Sequence, residues 1–306
     1  MLSTSTLSDE DIKKLRYVNF IAFFLHFSMA CVAIYVVIMG DSVTVPIYRR
    51  NTIYNATQCL DTYGYVPEAG PPLCPGVGKR EKWADLNLSV VLIISQMTTA
   101  LFHLFLCVGS VRYGVYPLLL SRGIKLFHWV EYVFTGPLIA LVCLYFSGVI
   151  DVESQYLGVC CQSTLMFVGL LQDVVRFCVY EGVLDRGKLK GVGVGIVLCS
   201  FVVGFFNVFS VWFPSVYDLF FGGSVGGSVG GSVGAPWFVK YLVLSEGLLY
   251  VSFGFVQAFF FTPFVLYSRG ARKRYFEEEL CLISLSFISK LVLNFAFSYC
   301  IVYNEC

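Results

Sequence analysis

Seven stretches of this chain stay apolar for more than 20 residues: 17–39, 86–108, 124–145, 155–178, 192–213, 238–261 and 280–302. A helix needs about 20 such residues to cross a bilayer, and runs of this length are too long for barrel strands. Backbone in lipid must satisfy its own hydrogen bonds, so each run is read as a helix. The pattern predicts an all-α membrane protein: a seven-helix bundle over residues 1–306 forming one domain, with spans 1 to 7 in chain order. The first run is too long for the apolar core of a signal peptide and lacks a small-residue cleavage site, so it is kept as span 1.

Polar residues inside the spans recur at helical spacing. They are Asn19 and His26 in span 1; Gln96, Thr99 and His103 in span 2; and His128, Glu131 and Thr135 in span 3. Span 4 has Gly169 and Asp173, span 6 has Glu246, Tyr250 and Gln257, and span 7 has Ser286, Lys290, Asn294 and Ser298. Each set lies on one helix face, which predicts the inward face of the bundle. Hydrogen bonding between helices accounts for the Ser, Thr and Asn residues. It does not account for two glutamates, an aspartate and a lysine.

Lys290 lies near the middle of span 7, about 15 Å from either end at helical rise. A snorkelling side chain would struggle to reach the headgroups from there. A charge at that depth is costly and marks a functional site. A lysine amine can also form a Schiff base with an aldehyde. Glu131 is roughly 10 Å deep in span 3. Side chains tilt toward the helix N-terminus, which lowers the lysine nitrogen toward Glu131, where a carboxylate would hold a positive charge. Glu246 sits at a similar depth from the opposite end; it reads as a core carboxyl or as a proton relay. His26 and His103 share one half of the bundle. They read either as hydrogen-bonding core residues or as the lining of a wet cavity that takes up protons.

Composition supports the membrane reading: 57% of residues are apolar and 13% charged, against roughly 25% charged in a soluble domain. Of the 21 Lys and Arg residues, fourteen fall at the N-terminus and in the even-numbered loops, six fall on the other side, and Lys290 lies between. The positive-inside rule then predicts a cytoplasmic N-terminus and an outer C-terminus. The outer loop 40–85 has β-prone segments such as Val43–Tyr48, which predict a hairpin. It holds Cys59 and Cys74, disulfide candidates on the oxidising side, and the glycosylation sequon Asn55-Ala56-Thr57. The outer loop 214–237 carries Gly-Gly-Ser-Val three times between Gly222 and Val233, a flexible linker. Arg269 to Arg274, followed by Glu277 to Glu279, could dock a cytoplasmic partner, although such runs are common at the inner membrane flank. Nothing resembles a nucleophile triad, a metal site or a phosphate loop, so neither an enzyme nor a metal is expected, and nothing points to nucleic acid.

The joint order of these motifs resembles the heliorhodopsins over essentially the whole chain. His128-Trp129-Val130-Glu131-Tyr132 is similar to the family's Arg-Trp-x-Glu-Tyr, and Leu285-Ser286-Phe287-Ile288-Ser289-Lys290 to its Leu-Ser-Leu-x-x-Lys. Asn19, Leu25 and His26, then His103, then Met166, Gly169 and Asp173 follow the family's patterns in spans 1, 2 and 4. The resemblance implies all-trans retinal bound as a Schiff base to Lys290, with Glu131 as counterion. It implies a pocket that includes Tyr132, Thr135, Met166, Gly169, Tyr250, Phe253, Gln257, Ser286 and Ser289. His26 and His103 would line a cytoplasmic polar cavity.

The implied function is a light sensor. Light isomerises the retinal, the Schiff base deprotonates, and a helix shift is read by a cytoplasmic signalling partner. No ion pumping is expected, and a homodimer is. Three departures stand out. The family arginine is His128 and the family glutamate of span 4 is Asp173, so a His128–Asp173 pair is expected in their place; Asn294 stands where tryptophan is usual. Glu246 has no place in the family pattern. It motivates an alternative, a light-gated proton pathway through Glu131, Glu246, His26, His103, His128 and Asp173. A seven-helix receptor for a chemical ligand, without retinal, is the remote alternative.

Overall fold

The computed structural model describes residues 8–40, 42–51, 79–146, 149, 151–180, 195–196, 199–200, 202–204, 206, 220, 237–267 and 271–303. Cys59, Cys74, Asn55 and the Gly-Gly-Ser-Val repeat lie outside the described residues, as does most of span 5. The described residues of span 5, among them Gly195, Ser200 and Gly204, are helical.

The elements in chain order are α1 (Asp9–Met39), β1 (Thr44–Asn51), β2 (Lys79–Asn87), α2 (Leu88–Tyr113), α3 (Val115–Ser121), α4 (Leu126–Phe146), α5 (Val152–Tyr180), α6 (Trp237–Tyr267) and α7 (Ala271–Tyr303). Among the described residues, six helices (all but α3) are long and apolar enough to cross a membrane. They correspond to spans 1, 2, 3, 4, 6 and 7. Packing runs in the order α5, α4, α2, α1, α7, α6, and contact between α4 and α6 closes the ring.

Local chemistry explains where the helices start. Ser8 Oγ accepts the Asp11 N–H at 3.1 Å and caps α1. Asp9, Glu10 and Asp11 fill the first turn, where carboxylates offset the helix dipole. Glu10 and Lys14 pair at 2.7 Å one turn apart. This polar turn starts α1 eight residues before the apolar run. In the same way α7 starts at Ala271 rather than 280, because Glu278 and Glu279 are helical and buried. Asn87, the last residue of β2, caps α2 by accepting the Val90 N–H at 3.1 Å. Gly114, at φ 63°, takes the left-handed turn between α2 and the unpredicted short helix α3. Asp151 accepts the Ser154 N–H at 3.1 Å and begins α5.

β1 and β2 pair antiparallel, from Thr44 opposite Asn87 to Asn51 opposite Lys79, with a bulge after Ile47. An apolar cluster under this sheet includes Val45, Leu88, Leu92, Val142, Phe238, Leu293 and Phe297. At the other end Leu15, Leu106, Tyr116, Leu120 and Phe276 form a second cluster. Along their helices, the buried His26, His103, Glu131 and Lys290 lie between the two. Outward faces are apolar: Phe134, Phe255, Phe259 and Phe295 are exposed, as lipid-facing residues should be.

Candidate functional site

The expected meeting of Lys290 and Glu131 occurs. Lys290 Nζ lies 2.8 Å from Glu131 Oε1, and each side chain is 2% exposed. Thr99 Oγ1 donates to the same carboxylate oxygen at 2.9 Å, and the lysine also contacts Thr99. Thr135 Oγ1 donates to the Glu131 carbonyl at 3.2 Å. Three helices therefore converge on one nitrogen.

One layer behind, Gln96 joins three helices. Its Oε1 lies 3.1 Å from His26 Nδ1 on α1, and its Nε2 donates to the Lys290 carbonyl on α7 at 3.2 Å. His103 Nδ1 pairs with Asn19 Oδ1 at 2.8 Å. The His26 and His103 rings stack with centroids 5.5 Å apart, and the Nε2 atom of each has no partner among the described residues. The two histidines thus share one polar layer.

On its other side Lys290 lines an apolar cavity of about 160 Å³. Tyr132, Thr135, Met166, Gly169, Tyr250, Phe253, Gln257, Ser286 and Ser289 line it too. Of the residues expected in the pocket, only Glu131 stays out of the wall, held behind the lysine. Glu246 is also in the wall. Its Oε2 accepts from Ser289 Oγ at 2.6 Å, and its Oε1 has no partner among the described residues. The Gly169 backbone lies so close to the Trp129 indole that a Cβ there would overlap the ring. A buried amine in the wall of an apolar cavity can react with an aldehyde held there. The heliorhodopsin family sequence model matches residues 15–299.

This chain belongs to the heliorhodopsin family. No curated protein matches it significantly. Family membership makes it a rhodopsin-type membrane protein.

This heliorhodopsin departs from the expected polar pairing at the Lys125 end of α4. His128 does not pair with Asp173. Asp173 Oδ2 accepts from Trp129 Nε1 at 2.6 Å and from the Lys125 backbone N–H at 3.0 Å, and Lys125 Nζ lies 3.8 Å from Oδ1. His128 turns to α7 instead, with Nδ1 3.1 Å from Glu279 Oε1 and Nε2 2.7 Å from Tyr132 Oη. The cause is spacing. Trp129 faces Asp173 of α5, whereas His128 is one position round from it and faces α7. Lys125 pairs with Glu278, and Tyr116 Oη donates to Glu279 Oε1 at 2.5 Å. Glu278 and Glu279 are fully buried, which removes both from any docking surface.

Sequence reasoning missed Lys125, Glu278 and Glu279 because they looked like loop and flank charges. The signal was present. Glu279 lies seven and eleven residues before Ser286 and Lys290, on the same helical stripe. Lys125 likewise precedes His128 by three. Trp129, Gly136, Gln162 and Ser200 of the cavity wall were also not singled out for the pocket.

Proposed function

We propose that this chain binds all-trans retinal through Lys290 and acts as a light sensor in a membrane. The observation that carries this reading is the buried Lys290 amine, set in the wall of an apolar cavity and backed by Glu131 and Thr99. Bound retinal supplies visible absorption and a light-driven double-bond isomerisation. The chain's residues do the rest. Glu131 balances positive charge at the Lys290 nitrogen, and Thr99 fixes the carboxylate. Trp129, Tyr132, Met166 and Phe253 form the packed wall, and Gly169 leaves room for the indole. Gln96 ties the Lys290 backbone to the His26 layer, so movement of α7 at Lys290 is felt on α1 and α2.

The distribution of Lys and Arg supports a cytoplasmic N-terminus, with the β1–β2 pair and the C-terminus outside. A seventh span over 192–213 between α5 and α6 gives the chain the odd count this orientation needs. The signalling partner then meets the Lys125 end. A homodimer follows from the family alone.

The test is chemical. Borohydride reduction with retinal present should leave a retinyl group on the peptide containing Lys290. An unmodified Lys290 after reduction would end this reading.

Glu246 supports a second reading, a light-gated proton pathway. It is a cavity-wall carboxyl that contacts the residue beside Lys290 and has one oxygen without a partner among the described residues. With Glu131, His26, His103, His128 and Asp173 it would complete a relay. Voltage clamp decides: a light-induced proton current lost in Glu246→Gln supports the pathway, and no current leaves the sensor.

A further inference from the structure

Three glutamines in the cavity wall take no part in the contacts around Lys290: Gln162 and Gln172 of α5 and Gln257 of α6. Other polar groups of that wall are already engaged. Lys290 meets Glu131, Thr135 donates to the Glu131 carbonyl, and Ser289 donates to Glu246. Ser200 donates to the Ile196 carbonyl at 2.5 Å. No hydrogen bond reaches the side chains of the three glutamines among the described residues. Gln257 is partly exposed, but Gln162 is 8% exposed and Gln172 only 3%. A side-chain amide has two N–H donors and a carbonyl acceptor. Buried without partners, it is costly. The hydrocarbon ring of retinal offers it neither a donor nor an acceptor.

Placement singles out Gln162. α5 lies against α4, and α7 against α1 and α6, so α5 and α7 wall the cavity from different sides. A ligand joined to Lys290 at one end meets α5 with its other end. The Gln162 amide lies over the Gly136 backbone, its Nε2 3.3 Å from where a Cβ on that glycine would stand. Gly136 and Ala140, one turn apart on α4, line the cavity there with little side chain. Gln172 instead lies about one turn beyond Gly169, where the Trp129 indole fills the space.

We propose that the pocket prefers a retinal hydroxylated on its ring, and that Gln162 is the residue that recognises the hydroxyl. Its amide can accept the hydroxyl proton or donate to the hydroxyl oxygen. The proposal rests on retinal binding through Lys290 and names the form of ligand that the pocket selects. Plain retinal leaves the amide unpaired, whereas a ring hydroxyl pairs it. That difference should favour the hydroxylated ligand by about fivefold or more in affinity. With leucine at 162 the order reverses, because a hydroxyl in a wholly apolar wall is itself left unpaired.

The test titrates the retinal-free protein in nanodiscs with all-trans retinal, all-trans 3-hydroxyretinal and all-trans 4-hydroxyretinal. Binding is read twice, from the growth of a visible band and from quenching of tryptophan fluorescence. Trp129 lies in the cavity wall and reports a bound ligand whether or not the amine has reacted. One hydroxylated retinal should bind at least about fivefold more tightly than plain retinal. Gln162→Leu removes an unpaired amide and should fold. It should bind plain retinal no more weakly than the unmutated protein does, and the hydroxylated form less tightly than plain retinal. Gln172→Leu should keep the original preference. Equal or weaker binding of both hydroxylated retinals by the unmutated protein would overturn the proposal and leave retinal binding standing, a result that does not depend on either variant. A preference that survives Gln162→Leu would overturn the role of Gln162. Failure of all three retinals to bind would remove the reading of Lys290, and this proposal with it.

Discussion

The buried contact between Lys290 and Glu131 should appear as strong energetic coupling in the retinal-free protein. The two charges are 2.8 Å apart and each is 2% exposed. At an effective dielectric constant of about 20, Coulomb's law gives roughly 6 kcal/mol at that separation. Desolvation of both groups offsets part of this. Removing one partner strands the other charge in an apolar layer and should cost about 3–5 kcal/mol. Glu131→Gln and Lys290→Met should each destabilise by that amount. The double variant buries neither charge and should be less destabilised than the sum by about 3 kcal/mol or more. Reversible unfolding in mixed micelles, followed by tryptophan fluorescence, measures all four proteins. Additivity within about 0.5 kcal/mol would mean that the two groups do not interact as described.

Other consequences follow from the same geometry. Gly169→Ala places a Cβ on the Trp129 ring; it should cost about 1–3 kcal/mol by overpacking and slow retinal uptake, read from the growth of the absorption band. Gln96→Leu takes the partner from buried His26 Nδ1 and cuts the tie to the α7 backbone. It should lower stability by about 1–3 kcal/mol, and its unfolding midpoint should move more than that of Ser284→Ala, an exposed position on α7.

Much of the fold was legible because lipid imposes a simple rule. Apolar runs of spanning length must be helices, and polar side chains must turn inward. That rule located six spans, and it put Lys290, Glu131, Thr99, His26 and His103 on inward faces at compatible depths. It failed where charge itself is buried. Glu278 and Glu279 end an apolar run on any hydropathy scale, yet they are core residues because Lys125, His128 and Tyr116 meet them. Their partners are 151 to 163 positions away in the chain, a separation no local window spans. The exchange of His128 from Asp173 to Glu279 has the same origin. Which face of α4 meets α5 and which meets α7 is a property of packing, and one residue of helical phase decides it. The extension of α1 back to Asp9 was readable from its Ser-Asp-Glu-Asp cap and was hidden only by the search for apolar residues.

The central claim, that Lys290 holds retinal with Glu131 as its charge partner, is tested most directly by one spectrum. The purified protein is mixed with all-trans retinal, and its visible absorption is recorded beside Lys290→Ala and Glu131→Gln. The account predicts a visible band in the unmutated protein, none in Lys290→Ala, and a red-shifted band in Glu131→Gln. Absence of a band in the unmutated protein, or its survival in Lys290→Ala, would contradict it.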